Sequence, residues 1–289
     1  MADVNAQLVA KLREKSGARM MDCKKALVET QAEAAKGEGP WLAAAETWLR
    51  TKSLDKGHAM AERTATEGML AHKLSPDGKT LTVVEMTANT DFVTKNAEFL
   101  KLLNDLLELA DTNALDSAEK LAAQTLNGTP VAEAVKALAG KIGENIGIKR
   151  VVRYQGEIGY YIHHDSKQGA IVELTGVSGE KAQALGKELA MHIVFAKPAY
   201  LTREEVPADL VKKETEIVAE RLKNDPRNAT KPPEILQKIA AGQLGKFYAS
   251  FVLPDQPYFR DSKITVAQVM KEQGGAAVKR FVRFQVGAA

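Results

Sequence analysis

The chain contains an internal repeat, which requires any fold it adopts to provide two similar environments. Residues 147–155 read Gly-Ile-Lys-Arg-Val-Val-Arg-Tyr-Gln, and residues 277–285 read Ala-Val-Lys-Arg-Phe-Val-Arg-Phe-Gln. In each segment, successive side chains alternate between two faces with a period of two, which predicts a β-strand. The two predicted strands therefore occupy equivalent places in two copies of one structural unit.

A weaker similarity precedes each of these strands. Residues 68–72 resemble residues 159–163, and Val-Glu-Met-Thr at 84–87 resembles Val-Glu-Leu-Thr at 172–175. The Ser-Pro-Asp-Gly sequence at 75–78 predicts a turn between two strands. Each copy is therefore predicted to consist of a hairpin, helices and a closing strand. This is the order of an α+β layer, with helices on one face of an antiparallel sheet.

Apolar residues at helical spacing predict the helices of both copies. In the first copy they cover residues 96–110, 117–126 and 131–142, and in the second 180–195 and 265–271. The distance between matching residues grows from about 90 at the hairpin to about 130 at the closing strand, so the second copy contains an insertion.

The insertion is predicted to be a helical hairpin. Thr202-Arg-Glu-Glu205 has the pattern of a capping box followed by Pro207, and residues 223–233 are rich in helix breakers. The apolar stripes are Val211, Thr215, Val218 and Leu222 on the first helix and Ile235, Leu236, Ile239 and Ala240 on the second. Such a hairpin is either a stabilising appendage or an arm for dimerisation or a partner, and the sequence pattern leaves both open.

The first fifty residues predict three short helices: from Val4 to Lys15, from Met21, and from Pro40 as the first helical position. Cys23 lies on the apolar stripe of the second helix, which favours core packing over a reactive thiol. A bundle of this size is marginal alone, so we expect a recognition module attached to something larger. Residues 52–68 are polar and predict a tether that is helical in part.

Composition excludes several classes of protein. Among 289 residues, 40 lysines and arginines nearly balance 37 acidic residues, for a net charge of +3. This argues against a protein that wraps nucleic acid. A single cysteine excludes an intrachain disulfide, and no apolar run is long enough to span a membrane. We expect a cytoplasmic protein without a membrane segment or a targeting segment.

The segment Ala88–Asn96 breaks the repeat. It carries Phe92 and Val93 between polar residues, where the second copy has Gly-Val-Ser-Gly. Either Phe92 is an exposed apolar wedge, or Thr90 or Asp91 caps a helix and Phe92 folds onto its first turn.

Thr90-Asp-Phe-Val93 resembles the central signature of the bacterial elongation factor Ts family. A segment near the start of the chain resembles that family's other signature. This segment is Leu12-Arg-Glu-Lys-Ser-Gly-Ala-Arg-Met-Met-Asp-Cys-Lys-Lys-Ala-Leu27. Further similar segments follow in the family's order, at residues 141–146, 161–163, 256–258 and 280–284. The chain departs from the family pattern at Ser16, Arg19, Ala88-Asn89 and Phe259-Arg260.

The resemblance implies a guanine-nucleotide exchange factor that performs no bond chemistry and binds elongation factor Tu in its GDP-bound and nucleotide-free states. The implied fold is α+β: a three-helix ubiquitin-associated-like (UBA-like) module at residues 1–55, and a duplicated core with antiparallel sheets. The first core half covers residues 56–155. The second covers 156–200 and 247–289 with a C-terminal module, and an antiparallel coiled-coil hairpin is inserted at 201–246. A two-plus-two assembly with the partner is a further expectation.

The resemblance also assigns residues to the partner contact. Asp91 and Phe92 would form the wedge, flanked by Thr90 and Val93. The other expected contact residues are Ile142, Gly143, His163, Tyr258 and Phe259 in the core, and Arg13, Met20, Met21 and Lys24 in the head. Of Met20 and Met21, we expect one to be buried and one to be available for contact.

No cofactor or metal is expected. His163-His-Asp165 has no further ligand at motif spacing, and Gly140-Lys-Ile-Gly143 lacks the Gly-Lys-Ser/Thr of a phosphate-binding loop. Two competing functions are an RNA-binding module and a homodimeric scaffold working through the hairpin. The first would use the basic residues of the two repeated strands: Lys149, Arg150, Arg153, Lys279, Arg280 and Arg283.

Overall fold

The computed structural model describes residues 4–60, 65–228 and 231–288. The chain divides into two compact units. The first comprises the described residues of Met1–Leu74, Thr82–Arg153 and Val286–Ala289, and the second comprises those of Ser75–Leu81 and Tyr154–Gln285. Within the described residues, no helix has the length and apolar character needed to cross a membrane.

The front of the first unit contains three α-helices, as predicted: α1 (Ala6–Ser16), α2 (Met20–Glu29) and α3 (Glu38–Met60). Their shared core includes Leu12, Cys23 and Trp41, whose indole N–H donates to the Leu27 carbonyl at 3.0 Å. Burial raises the pKa of the Cys23 thiol, as expected for a cysteine that packs in a core.

The third helix begins two residues earlier than predicted, and its C-terminal end forms the helical part of the predicted tether. It begins at Glu38, so Pro40 lies inside the first turn, where the missing N–H of proline costs no helical hydrogen bond. It then continues to Met60 through most of the segment predicted as a tether. The part of that segment at residues 61–64 lies outside the described residues.

The rest of the first unit is built largely from the first copy of the repeat. Its elements are β1 (Glu67–Leu74), β2 (Thr80–Ala88), α4 (Asp91–Thr94), α5 (Ala97–Thr112), α6 (Ala118–Ala122), β3 (Thr125–Leu126), β4 (Thr129–Pro130), α7 (Val131–Ile142) and β5 (Ile146–Gln155). The three long strands form a sheet in the order β1-β2-β5. Its core is centred on Met86, Phe99, Leu106 and Val131.

The second unit repeats this plan. Its elements are β6 (Glu157–Ile162), β7 (Gln168–Thr175), α8 (Gly179–Ala196), α9 (Ala208–Asn224), α10 (Pro233–Tyr248), β8 (Pro257–Tyr258), β9 (Asp261–Thr265), α11 (Val266–Glu272) and β10 (Ala277–Gln285). The sheet order is β6-β7-β10, and both strand pairs are antiparallel. In both copies the closing strand lies beside the second strand of the hairpin, so the predicted duplication is confirmed in the order of the sheets.

The insertion consists of the packed helices α9 and α10, which we call the arm (residues 208–248). Among the described residues of these two helices, only Val218 is buried, with 1% of its surface exposed. A groove of about 500 Å³, open to solvent, lies between the helices and is lined by Leu222, Leu236 and Leu244 among others. The arm therefore has very little buried core of its own.

The predicted capping box before the arm is wrong. Thr202 instead precedes a single 3₁₀ turn at Arg203–Glu205, and its side chain makes no capping bond to the backbone. The helix begins only after Pro207. Proline disfavours the α conformation in the preceding residue, and Val206 is accordingly extended, with φ −69° and ψ 128°.

Each copy holds one buried carboxylate against its closing strand. Glu85 lies 2.7 Å from Arg150, and Glu173 lies 2.7 Å from Lys279 and 2.6 Å from Arg280. The two carboxylates occupy matching positions of the repeat, as do the two arginines. Burying a carboxylate costs free energy unless the carboxylate is paired. Each ion pair therefore allows the buried carboxylate to lie beside the closing strand of its sheet.

The pairing of Glu173 predicts a specific dependence of stability on pH. Burial alone would raise the pKa of this carboxyl, but its bonds to Lys279 and Arg280 outweigh burial and hold the pKa below the ordinary value of 4.5. A folded-state pKa below the unfolded-state pKa means that the carboxylate stabilises the fold above about pH 4.5, and that this contribution is lost as the pH falls further. Glu173→Gln should therefore show a smaller loss of stability than the parent chain between about pH 5 and pH 3.

Urea unfolding at several pH values measures this difference. Glu108→Gln is the matched control, because Glu108 is an exposed residue paired with Lys73. An equally steep loss of stability in Glu173→Gln and in the parent chain would contradict the prediction.

One helix–strand contact in the second unit has no side chain between the two backbones. Gly159 of β6 lies directly against Gly186 of α8, and a Cβ atom on Gly159 would overlap the Gly186 backbone. Glycine at both positions is what allows α8 to pack this closely on the sheet.

Candidate protein-interaction site

The segment that breaks the repeat forms a short turn between β2 and α5, which we call the Phe92 turn (residues 89–95). Its helix α4 has only four residues, and Thr90 is the N-cap residue without a side-chain capping bond. Phe92 is 79% exposed, whereas its neighbour Val93 is 3% exposed and packs in the core of the first unit. Successive residues of a helical turn point in different directions, so Val93 anchors the turn while Phe92 projects outward.

An ion pair between Lys95 and Asp91 lies next to Phe92. Lys95 Nζ lies 5.9 Å from the centroid of the Phe92 ring and 2.9 Å from Asp91 Oδ2. The first distance is within the range of a cation–π contact, and the second is an ion pair one helical turn apart. The cation beside the exposed ring is thus itself paired with an anion.

The end of α7 lies against the same turn. Gly143 ends the helix in the left-handed conformation, with φ +89°. Glu144 accepts hydrogen bonds from the Thr90 hydroxyl at 2.9 Å and from the Thr90 N–H at 3.0 Å. The Asn145 N–H donates to Asn89 Oδ1 at 2.7 Å. The Phe92 turn is therefore attached to the two residues that directly follow the predicted contact residues Ile142 and Gly143.

Four of the predicted contact residues lie in the three-helix head of the first unit. Arg13, Met20, Met21 and Lys24 are all exposed. The expectation that one methionine is buried is wrong, because Met20 and Met21 are 54% and 72% exposed. Met20 is the first residue of α2, and Ala18 rather than Met20 extends the core at this end.

The head and the end of α7 are neighbours within the first unit. The Arg19 guanidinium lies 3.4 Å from the place a Cβ on Gly143 would occupy, and Lys141 lies beside Gly17. The two segments that resemble family signatures at residues 12–27 and 141–146 therefore lie side by side. Neither Arg19 nor Glu144 was among the predicted site residues.

Three predicted site residues belong to the second unit. His163 Nδ1 lies 2.8 Å from the Tyr161 hydroxyl, and its ring is 4.2 Å from that of His164. Tyr258 is buried in the core of this unit and donates its hydroxyl to Glu188 at 2.8 Å. Burial, reinforced by this hydrogen bond, raises the pKa of Tyr258 to about 12. Phe259 is half-buried beside it.

A buried histidine holds Phe259 in place. His192 Nδ1 accepts the Phe259 N–H at 3.3 Å, so the ring is neutral and its Nε2–H donates to Gln256 Oε1 at 3.0 Å. Burial lowers the pKa of His192, against a smaller opposing effect of the bond to Gln256. Gln256 in turn donates to the Ala196 carbonyl at 3.2 Å. This network joins α8 to the segment before β8, and the pattern of apolar residues gave no sign of it.

Three of the six repeated basic residues form ion pairs within the fold. Arg150 pairs with Glu85, while Lys279 and Arg280 share Glu173. The Arg280 guanidinium also lies 3.9 Å from the centroid of the Tyr154 ring. These three cations are therefore engaged by carboxylates of the fold. Within the described part of the chain, no group of three or more His, Cys, Asp or Glu side chains is arranged to hold a metal ion.

Comparison with known proteins agrees with the sequence signatures. Residues 89–288 match the family model described as elongation factor TS. An elongation factor Ts of Aromatoleum aromaticum is 40% identical, with 99% of this chain and 92% of the relative covered. Those of Beutenbergia cavernae and Deinococcus deserti are 41% and 38% identical, covering 100% and 97% of this chain and 100% and 98% of the relatives. The chain belongs to the elongation factor Ts family.

Proposed function

We propose that this chain is a translation elongation factor that acts as a guanine-nucleotide exchange factor for elongation factor Tu and performs no bond chemistry. The proposal rests on the exposure of Phe92. This aromatic side chain is 79% exposed and lies on a turn that is anchored by the buried Val93. An exposed aromatic side chain on an anchored turn is suited to enter an apolar crevice of a partner.

The physical basis of exchange is linkage. A protein that binds the nucleotide-free GTPase more tightly than the GDP-bound form weakens GDP binding by the same factor. In this proposal Asp91 and Phe92 enter the GTPase, with Thr90 and Val93 supporting them. The displaced elements are those that hold Mg²⁺ and the phosphates of GDP, on which nucleotide affinity depends.

The remaining contacts are proposed around this wedge. Ile142 and Gly143 would contact the GTPase beside the Phe92 turn, and His163 and Phe259 would contribute from the second unit, with the buried Tyr258 packed behind Phe259. The head would grip the partner through Arg13, Met20, Met21 and Lys24. The exposure of both methionines supports this, because flexible apolar side chains adapt well to a partner surface.

The finer organisation of the fold is part of the proposal. We propose a UBA-like head at residues 1–55, core halves at 56–155 and at 156–200 with 247–289, and an inserted coiled-coil hairpin at 201–246 that includes most of the arm. The protein would act in the cytoplasm, as one factor per GTPase or in a two-plus-two assembly.

Release of labelled GDP from elongation factor Tu tests the proposal directly. In the presence of excess unlabelled nucleotide, a substoichiometric amount of this protein should accelerate release over many turnovers. A rate that does not change with the added protein would overturn the proposed function.

A further inference from the structure

We infer that Glu144 is the residue that positions the Phe92 turn for its partner, an inference that rests on the function proposed above. The Glu144 carboxylate accepts the Thr90 hydroxyl, 2.9 Å from each of its oxygens, and the Thr90 N–H at 3.0 Å. Hydrogen bonds to an ionised acceptor are about twice as strong as neutral ones. Two donor groups of one residue are thus held by a single carboxylate 54 residues away in the chain.

The backbone of Glu144 is itself fixed. The N–H groups of Gly143 and Glu144 both donate to the Ala139 carbonyl, at 2.8 Å and 3.2 Å, and close the end of α7. This is the arrangement of a helix C-terminus that ends in a left-handed glycine. The carboxylate therefore reaches the turn from a rigid support, as a positioning group requires.

The charge of Glu144 does not stabilise α7, the helix that precedes it. Carbonyl oxygens at a helix C-terminus carry partial negative charge, so an acidic side chain just beyond the end is destabilising there. The bonds to Thr90 offset this cost. A contribution to the stability of α7 therefore does not explain the acidic residue, whereas its contact with the turn does.

The turn is held on both sides of Phe92. Upstream, Glu144 binds Thr90 and the Asn145 N–H binds Asn89 Oδ1; downstream, Val93 is buried. Without Glu144 the upstream attachment is weakened, and the turn would spend less time in the orientation that presents Phe92. A binding-competent state that is less populated reduces apparent affinity in proportion.

Exchange kinetics separate this role from that of the wedge itself. For Glu144→Gln, the concentration giving half-maximal GDP release should rise by about tenfold, while the maximal rate stays within about twofold. Glu108→Gln is the control, because it is the same substitution at an exposed residue that bonds Lys73 and not the Phe92 turn. An unchanged half-maximal concentration for Glu144→Gln would overturn the inference.

Amide hydrogen exchange of the free chain tests the same inference without the partner. Glu144→Gln should accelerate exchange at residues 89–95, while α5 and α7 keep their protection. Combining it with Thr90→Val should have less effect than the sum of the two single variants, because both weaken the contact between residues 90 and 144 and Thr90→Val removes only the hydroxyl part of it. Unchanged exchange in the turn would count against Glu144 even if wild-type protein releases GDP normally. Conversely, if wild-type protein fails to release GDP, the proposed function fails while the exchange data still decide how the turn is held.

Discussion

Replacing Phe92 with alanine should lower the maximal rate of GDP release by about fiftyfold, because an aromatic anchor at the centre of an interface commonly contributes more than about 2 kcal/mol. The fold should be unaffected, since the ring is 79% exposed and leaves no cavity behind. Substitutions at such surface positions usually change stability by less than about 0.5 kcal/mol.

The chain offers a matched control for this variant. Phe195 is another phenylalanine of similar exposure, 72%, and lies in the other unit on α8. Phe195→Ala removes the same number of atoms from a similarly exposed ring, which lies 6.3 Å from the ring of Phe259, and should reduce the maximal rate of GDP release far less than Phe92→Ala does. Normal exchange by Phe92→Ala would remove the wedge from the mechanism, and equal losses in both variants would point to a general effect of exposed aromatic surface.

The largest effect on stability is expected at Gly159. An alanine there places a Cβ atom against the backbone of Gly186, which cannot rotate away as a side chain could. We expect Gly159→Ala to lower the free energy of unfolding by about 3 kcal/mol, at the upper end of the usual cost of overpacking. Denaturant titration followed by circular dichroism measures the change.

Gly242→Ala provides the opposite case. Gly242 lies in α10 with no other group within 4 Å of the added carbon, so the substitution should be neutral or stabilising by up to about 1 kcal/mol. If Gly159→Ala were as stable as Gly242→Ala, the close approach of α8 and β6 would have to be wrong.

The features predictable from the sequence are those carried by local periodicity and repetition. The helix at Val131–Ile142 and the closing strand Ala277–Gln285 have the predicted bounds. Both are regular elements with clear apolar patterns. The repeat also predicted that the two copies have the same plan, because identical residues in two places require equivalent neighbours.

The features that could not be predicted depend on residues far apart in the chain or on competing local signals. Glu144 and Thr90 are 54 positions apart, and neither periodicity nor a motif links them. The capping box was predicted wrongly because Thr202 and Glu205 have its spacing but lie in a separate 3₁₀ turn, whereas Pro207 does stand next to the start of α9. The exposure of Met20 follows from where α2 begins, which sequence patterns place only to within a few residues.

The small buried core of the arm bears on how the protein responds to proteases. Helices that bury only Val218 among their described residues open at low cost, so the lysines and arginines of α9 and α10 should be early sites of cleavage by trypsin. The strands on either side of the arm in sequence, β7 and β10, pair with each other along most of their length. A cut within the arm would therefore leave two fragments that stay together as one folded body, separable only by denaturation.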